Sequence, residues 1–551
     1  MRTALSRAAL RPFTFLLVLV AGAASPRLSW AQAGGSPAPP PGPPSSPPSG
    51  PSAPGKDLPS DGSDTSASRP APIAVPTPPE AASKRTDTPP PTAHEPAQKS
   101  TDTVTRDRFP GPLAWGEGRF QFGSYGRVVA SIDGRGRSGR DADLVARGSR
   151  LDEGNYAELE LRREDDWRKS PGDDRVTTRI VSTTAFADPL FHASGRFAAT
   201  VAVRNLYIEE KGIGSEKLAV WAGSRMYRGD DVYLLDFWPL DNLSTLGGGV
   251  RYEPLPRTTI ALHAGANRLD DPFQFQVVDR AKPFNQVGTT KVTLLDRPRV
   301  IETARVEHHV PALTEKGGIK FVGYGEAHQL SAGEREVSPG KREYLPRESG
   351  FVVGGEVGAY TGERDTYLNL FVRYARGIAA YGDFSAPYAL SNQKTTEGAS
   401  ELRFAFSGNY ETGPFTLLAG GYFRKFTSAS AEAQNVANFS EGAVILRPHV
   451  YFTERVGMFV EGSYQAQERA ILSQDQQGPQ RGALVRFGVV PFLSPAGRGS
   501  YRRPQIRAMW VVTARDDGAR AFYATDDPYA TRRVDHFLGI GAEWWFNSSY
   551  R

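Results

Sequence analysis

The stretch Trp221 to Asp241, WAGSRMYRGDDVYLLDFWPLD, concentrates five aromatic rings, two arginines and four aspartates in twenty-one residues. Tyr and Trp offer rigid, flat surface with a polar tip, while arginines and carboxylates make the stronger, charge-assisted hydrogen bonds and fix orientation. Together these residue types suit the lining of a polar pore. Pyranose rings can lie against the aromatic faces while sugar hydroxyls exchange hydrogen bonds with the charges. Such binding must be weak and spread over several subsites, so that the solute can leave again. Other chemistries find less to work with. The chain holds no cysteine, which in an exported protein excludes disulfides and thiolate ligands or nucleophiles. Gly134-x-Gly-x-x-Gly139 has the spacing of a dinucleotide fingerprint but lies in no strand–helix unit, so it reads as a glycine-rich turn. His308 and His309 are adjacent and on a strand point to opposite faces, a poor metal pair. No cofactor and no metal are expected, and no Gly-x-Ser-x-Gly elbow or comparable catalytic cluster stands out.

The elements that must position these residues are strands. From about Arg119 the sequence alternates with period 2, broken by Gly, Asp, Asn and Pro clusters. In Tyr156–Arg162, Tyr156, Glu158, Glu160 and Arg162 share one face, and Ala157, Leu159 and Leu161 the other. In Tyr367–Ala375, Leu368, Leu370, Val372 and Tyr374 oppose Tyr367, Asn369 and Arg373. Near the end, Leu538, Ile540, Ala542, Trp544 and Phe546 oppose Gly539, Gly541, Glu543 and Trp545, a closing strand with aromatics suited to an interfacial girdle. No later stretch reaches about 18 apolar residues. A membrane-embedded form must then be a closed barrel, which pairs every backbone N–H and C=O. At roughly 24 residues per strand and connection, about 430 residues predict an all-β transmembrane antiparallel barrel of about 18 strands.

The N-terminus differs in kind. Residues 1–33 carry Arg2, Arg7, Arg11 and Arg27 and no acid, an apolar run Phe13–Ala24, and a small-x-small site Ala31-Gln32-Ala33, the pattern of a secretory signal peptide cleaved after Ala33. Removing those four charges from the formal +5 leaves about +1, so the basic pI argues for no nucleic-acid partner. Residues 34–105 are dominated by Pro, Ser, Gly, Ala and Thr and read as a disordered linker of polyproline-II character. About 72 residues at about 3.1 Å each could span on the order of 200 Å, enough for periplasmic or peptidoglycan contact. Residues 106–551 form the expected barrel domain.

The chain from about residue 119 to the end resembles the maltoporin (sugar porin) family. Phe122-x-x-Tyr125-x-Arg127, then Arg150-Leu151 with Tyr156-Ala-Glu-Leu, carry the likeness first. The opening stretch carries it most specifically, as Trp-Ala-Gly-x-Arg-x-Tyr, Asp231-Val, Asp236-Phe and Asp241. Leu370-Phe-Val-Arg-Tyr-Ala, Tyr501-x-Arg-Pro-x-Ile-Arg507 and Glu543-Trp-Trp-Phe complete it. The resemblance implies homotrimers of 18-stranded barrels in the outer-membrane lipid, passing oligosaccharide solutes along an aromatic slide beside a polar track. It implies Tyr125, Tyr156, Tyr367, Tyr501 and Trp545 in the slide. Arg127, Arg150, Glu158, Asp231 and Asp236 fall in the track, with Trp238 where the family usually has Tyr. A track arginine falls on Ala202, with Arg204 two residues on, and another on Gly229, beside Arg228. The family's paired cysteines in the first external loop are absent, and only Phe191 is a candidate for the slide aromatic that a neighbouring subunit contributes. The segment after Trp238, with Gly247-Gly248-Gly249, is expected to fold inward as the constriction loop.

Competing readings are a general or anion-preferring porin, an outer-membrane enzyme with a dispersed active site, and an interaction protein whose working part is the proline-rich arm.

Overall fold

The computed structural model describes residues 118–167, 175–187, 201–312, 317–361, 365–382, 385–387, 390–432, 434–472 and 478–547. The expected signal peptide, the linker and Phe191 lie outside the described residues. Eighteen of the described strands form one antiparallel sheet. The first, Arg119–Asp133, pairs with the second, Tyr156–Asp166, on one side. On its other side it pairs with the last, Val534–Phe546, which closes the cylinder.

The burial pattern fixes which side of the wall meets lipid. In Tyr156–Asp166, Leu161 is 60% exposed and Leu159 42%, while Glu160 and Glu158 are 2% and 5% exposed. Leu370 and Val372 likewise face out, opposite buried Asn369 and Arg373, and Ile540 faces out opposite buried Glu543. Apolar outside and ionic inside is the reverse of a water-soluble sandwich and is the pattern of a membrane barrel. A strand with period-2 alternation can take either arrangement, so closure decides between them.

Connections alternate between the two ends. Long ones at one end span 134–155, 229–241, 268–298, 331–347, 378–399 and 516–533. Short ones at the other include 256–257, 361–366, 413–414 and 494–504. Small hairpins elaborate two of the long connections, Phe275–Ala281 with Thr289–Asp296 and Gly333–Ser338 with Lys341–Leu345.

Two of the long connections fold into the cylinder. In 134–155 the backbone N–H groups of Leu144, Ala146 and Arg147 donate to Gln465 Oε1, Glu441 Oε2 and the Tyr422 hydroxyl, all on the inner wall. In 229–241, buried Val232, Leu234, Leu235, Phe237 and Leu240 pack against inward Val322, Phe371, Leu418 and Ile445. A one-turn 3₁₀ helix, Tyr233–Leu235, is closed by Asp236 in the left-handed region at φ 46°, and the Val232 N–H donates to the Phe237 carbonyl at 2.7 Å. The loop is thus a tight reversal, with Asp at a backbone position that short polar side chains tolerate best after glycine.

The expectation that Gly247-Gly248-Gly249 belongs to the constriction is corrected. These glycines lie within the strand Asn242–Leu255. A Cβ on Gly247 would run into the Ala264 carbonyl oxygen, and one on Gly249 into the Trp221 indole. Their smallness serves close strand packing under an aromatic ring, a use of glycine that resembles a loop signal in sequence. The infolded segment is the one before them.

Candidate functional site

The inward rings form one file. Tyr156 and Tyr125 lie with centroids 6.0 Å apart, and Tyr125 stacks on Trp545 at 6.4 Å and 21°. Trp545 meets Tyr233 edge-on at 5.8 Å, and Tyr233 meets Tyr501 at 5.5 Å. Tyr501 stacks on Tyr367 at 6.5 Å and 21°, their hydroxyls 2.5 Å apart. Strand connectivity gives the direction. Tyr156 opens a strand directly after the long connection 134–155, whereas Tyr367 follows the short connection 361–366 and Tyr501 lies in the short connection 494–504. The file therefore runs from the long-loop end of the cylinder to the other. Every ring in it except Tyr233 is half-buried and keeps part of its surface open.

Charged groups run beside the file. Arg150 donates to the Tyr125 hydroxyl, to Glu153 Oε2 at 2.9 Å and to the Tyr233 carbonyl at 3.4 Å. Arg127 pairs with Glu153 at 2.5 Å and reaches the Tyr125 hydroxyl at 3.4 Å. The Tyr156 hydroxyl donates to Glu158, whose carboxylate also takes Arg204 Nε at 3.4 Å. Arg204 thus supplies the guanidinium missing at Ala202. At the other departure, a Cβ on Gly229 would meet the Arg305 guanidinium, which pairs with Asp241 at 2.8 Å. The absent side chain is replaced from a different strand. Arg228 lies 3.8 Å over the Trp238 ring and donates to Asn242 Oδ1 at 2.7 Å.

The acidic residues of the infolded loop divide. Burial disfavours ionisation of Asp236, yet Arg150, Arg127, Arg228 and Arg147 together hold its carboxyl below the usual range. Asp230 takes Lys320 at 2.6 Å and fixes the base of the loop to the far wall. Asp231 sits half-buried at the start of the reversal.

The structure brings Tyr125, Arg127, Arg150, Tyr156, Glu158, Arg204 and Asp236 together near the long-loop half of the file. Tyr501 and Tyr367 form its other end, and Arg228, at the end of the strand Leu218–Arg228, covers Trp238 of the infolded loop and adds its charge beside Asp236. Sequence reasoning missed Tyr233, the ring that joins the two halves. Its hydroxyl accepts from Arg503 at 2.6 Å and donates to Glu543 Oε2 at 3.0 Å, and Glu543 also pairs with Arg503 at 2.7 Å and Arg507 at 2.6 Å. The signal was present, since Tyr233 lies inside the densest aromatic stretch. No strand periodicity marks a residue in a 3₁₀ turn.

Asp141, Asp143 and Asp152 bring carboxylate oxygens within 4.8 Å of one another. Arg486 meets Asp152 at 2.8 Å and Asp143 at 2.9 Å, so the group ties the infolded loop to the wall.

A comparison with curated proteins finds no match. Among solved structures, OmpT of Vibrio cholerae in its trimer form aligns with TM-score 0.36 and 11% identity, over 78% of this chain and 99% of that one. OpdK of Pseudomonas aeruginosa, solved with vanillate, aligns with TM-score 0.36 and 12% identity, over 78% and 98%. OccAB4 of Acinetobacter baumannii aligns with TM-score 0.38 and 9% identity, over 79% and 100%. Residues 120–546 match the LamB porin family, a span that takes in all eighteen wall strands but for the first residue of the first one, and both infolded loops. The chain belongs to the LamB porin family.

Proposed function

We propose that this porin is an outer-membrane channel for facilitated diffusion of oligosaccharides. One observation carries the reading: Tyr156, Tyr125, Trp545, Tyr233, Tyr501 and Tyr367 make an unbroken file from end to end of the lumen, each ring within 6.5 Å of the next. A general diffusion pore needs only polar, charged walls. The aromatic file adds apolar contact for a pyranose in two accessible stretches, Tyr156–Tyr125–Trp545 and Tyr501–Tyr367, joined through Tyr233, so that a chain of sugars advances by exchanging equivalent sites rather than by leaving one deep site. Arg127, Arg150, Glu158, Arg204, Arg228, Asp231 and Asp236 serve as the track that trades hydrogen bonds with hydroxyls. Tyr233, itself only 2% exposed, keys the file together rather than carrying solute. The protein's own role is positioning and passage, with no bond made or broken.

Homotrimeric assembly is part of the same proposal and rests on family membership. Its check is a heat-modifiable trimer band on denaturing gels. The test of the channel reading is single-channel recording in planar bilayers with maltose, sucrose and maltodextrins of increasing length. Saturating block whose affinity grows with chain length supports the slide, whereas ohmic current unaffected by any saccharide refutes it. Deleting residues 34–105 and measuring sugar uptake separates passage through the barrel from a role of the proline-rich arm.

A further inference from the structure

Two ion clusters of the inner wall are not electrically balanced where a solute would touch them. Around Glu158, the carboxylate is 7% exposed while its partner Arg204 is 32% exposed. Around Glu401 the contrast recurs. That carboxylate is 2% exposed and is met by Arg373 at 2.6 Å, by Arg403 at 3.0 Å and by Arg424, of which Arg403 and Arg424 are 15% and 22% exposed. In these two clusters the acid stands behind and the guanidinium groups stand in front. A field is set by the charges nearest the aqueous path, so the wall presents positive potential at these two clusters.

Arg147 sharpens this. Its backbone N–H is held by the Tyr422 hydroxyl on the inner wall, which places the residue inside the cylinder on the first infolded loop. Its side chain is exposed and reaches over Phe237, the apex of the second infolded loop, at 5.9 Å. Arg403 covers the same ring at 5.0 Å. No carboxylate among the described residues lies within ion-pair distance of the Arg147 guanidinium. Asp236, the acid whose charge it feels, is shared with Arg127, Arg150 and Arg228 of the track. An unpaired guanidinium therefore stands where the two infolded loops meet, next to the track and beside the Glu401 cluster through Arg403.

We propose that the solutes of this channel are anionic saccharides, glycans bearing a carboxylate, sulfate or phosphate group, and that Arg147 with Arg403 meets the anion above Phe237 while the aromatic file carries the sugar rings. The proposal rests on the sugar-channel reading and names its substrate class. Arginine suits the task because its planar fork binds such groups bidentately and is weakly hydrated. It remains charged throughout, so the preference persists over the physiological pH range.

The full-length porin in planar bilayers is titrated with trigalacturonate and with maltotriose, which match in ring count and differ in charge. At 0.1 M KCl, trigalacturonate should half-block at about fivefold lower concentration, the gain of one partly screened ion pair. At 1 M KCl, where the screening length shrinks to about 3 Å, the advantage should largely disappear. Arg147→Gln should bring the two saccharides to near parity at low salt, and Arg147→Lys should keep most of the difference, which separates loss of charge from disturbance of the loop. Equal block by the two saccharides at low salt overturns the proposal and leaves the sugar-channel reading standing, as does an advantage indifferent to both salt and Arg147→Gln. Block by inorganic phosphate as strong as by trigalacturonate also overturns it, because a simple anion pore would then suffice. Block by neither saccharide overturns both readings.

Discussion

Removing one ring from the middle of the file gives the most direct measure of what the file does. Tyr125 lies between Tyr156 at 6.0 Å and Trp545 at 6.4 Å, so Tyr125→Ala opens a gap that a sliding sugar must cross without apolar contact. A pyranose face laid on one half-buried ring covers roughly 40 Å² of apolar surface, worth about 1 kcal/mol at about 25 cal/mol per Å². That corresponds to about a fivefold rise in the half-blocking sugar concentration. Basal conductance should stay level or rise slightly, because the substitution widens the lumen. Tyr125→Phe separates the two jobs of the residue. It keeps the ring and removes the hydroxyl that Arg150 and Arg127 hold, and block should stay within about twofold since the covered area is unchanged. Tyr374→Ala is the control, because that ring faces outward and its loss should leave block unchanged. Current-noise analysis gives the on and off rates, and the change should fall mainly in the off rate. If Tyr125→Ala is blocked as well as the parent, or if Tyr125→Phe loses as much block as Tyr125→Ala so that the hydroxyl is the working group, the slide argument is refuted.

Other consequences can be checked separately. Glu401→Gln leaves Arg373, Arg403 and Arg424 facing a neutral amide, so the zero-current potential in a KCl gradient should shift toward anion preference, and the unfolding transition in detergent should weaken by about 3 kcal/mol. Gly247→Val places a branched side chain against the Ala264 carbonyl and should destabilise the barrel by about 1–3 kcal/mol or more, read as a lower midpoint in urea. On the first infolded loop, burial pushes Asp152 up to about 8 and Asp143 up to about 6, against the pull of Arg486 and with repulsion from Asp141. Both lie above the ordinary range near 4, so the folded protein keeps protons that the unfolded chain has released. Attachment of the loop is therefore strongest below the unfolded value near 4 and weakens as pH rises from there through 8. Open-channel noise should grow over that interval, and Asp143→Asn should flatten the trend.

How far the sequence reached depends on which force wrote each feature. Period-2 alternation is imposed directly by the pleat and by the two environments of a barrel wall, so the faces of Tyr156–Asp166, Tyr367–Gly377 and Val534–Phe546 could be assigned strand by strand. Average strand length gives about eighteen strands with about sixteen inside the same arithmetic, and the closed sheet has eighteen. Glycine carries no such phase. Gly247–Gly249 satisfies a packing demand set by Trp221 and Ala264, which are distant in sequence and adjacent only once the strands pair. A run of glycines in isolation reads as a turn, and there the reading failed.

The site shows the same division between local and non-local causes. Tyr125, Tyr156 and Trp545 fall on strands paired in register, Tyr125 opposite both Glu158 and Trp545, so strand phase alone brings them to one wall. Tyr233 arrives by another route. It is carried inward by a loop whose apolar residues pack on the far wall and whose base is tied by Asp230 to Lys320 and Asp241 to Arg305. Its hydroxyl then completes an ionic cluster with Arg503 and Glu543 that no single segment contains. The wall alone would give two separate ring clusters, one of Tyr156, Tyr125 and Trp545 and one of Tyr501 and Tyr367. The infolded loop makes them continuous. It follows that Tyr233→Leu, which keeps bulk but removes the ring and hydroxyl, should disrupt passage more than its near-zero exposure suggests. Sugars should still block, held by either half of the file. The off rate toward the far side should fall, so that block from one side of the bilayer becomes longer-lived than from the other. Symmetric block kinetics in Tyr233→Leu would show that the two clusters already act as one path, and that the loop does no more than narrow it.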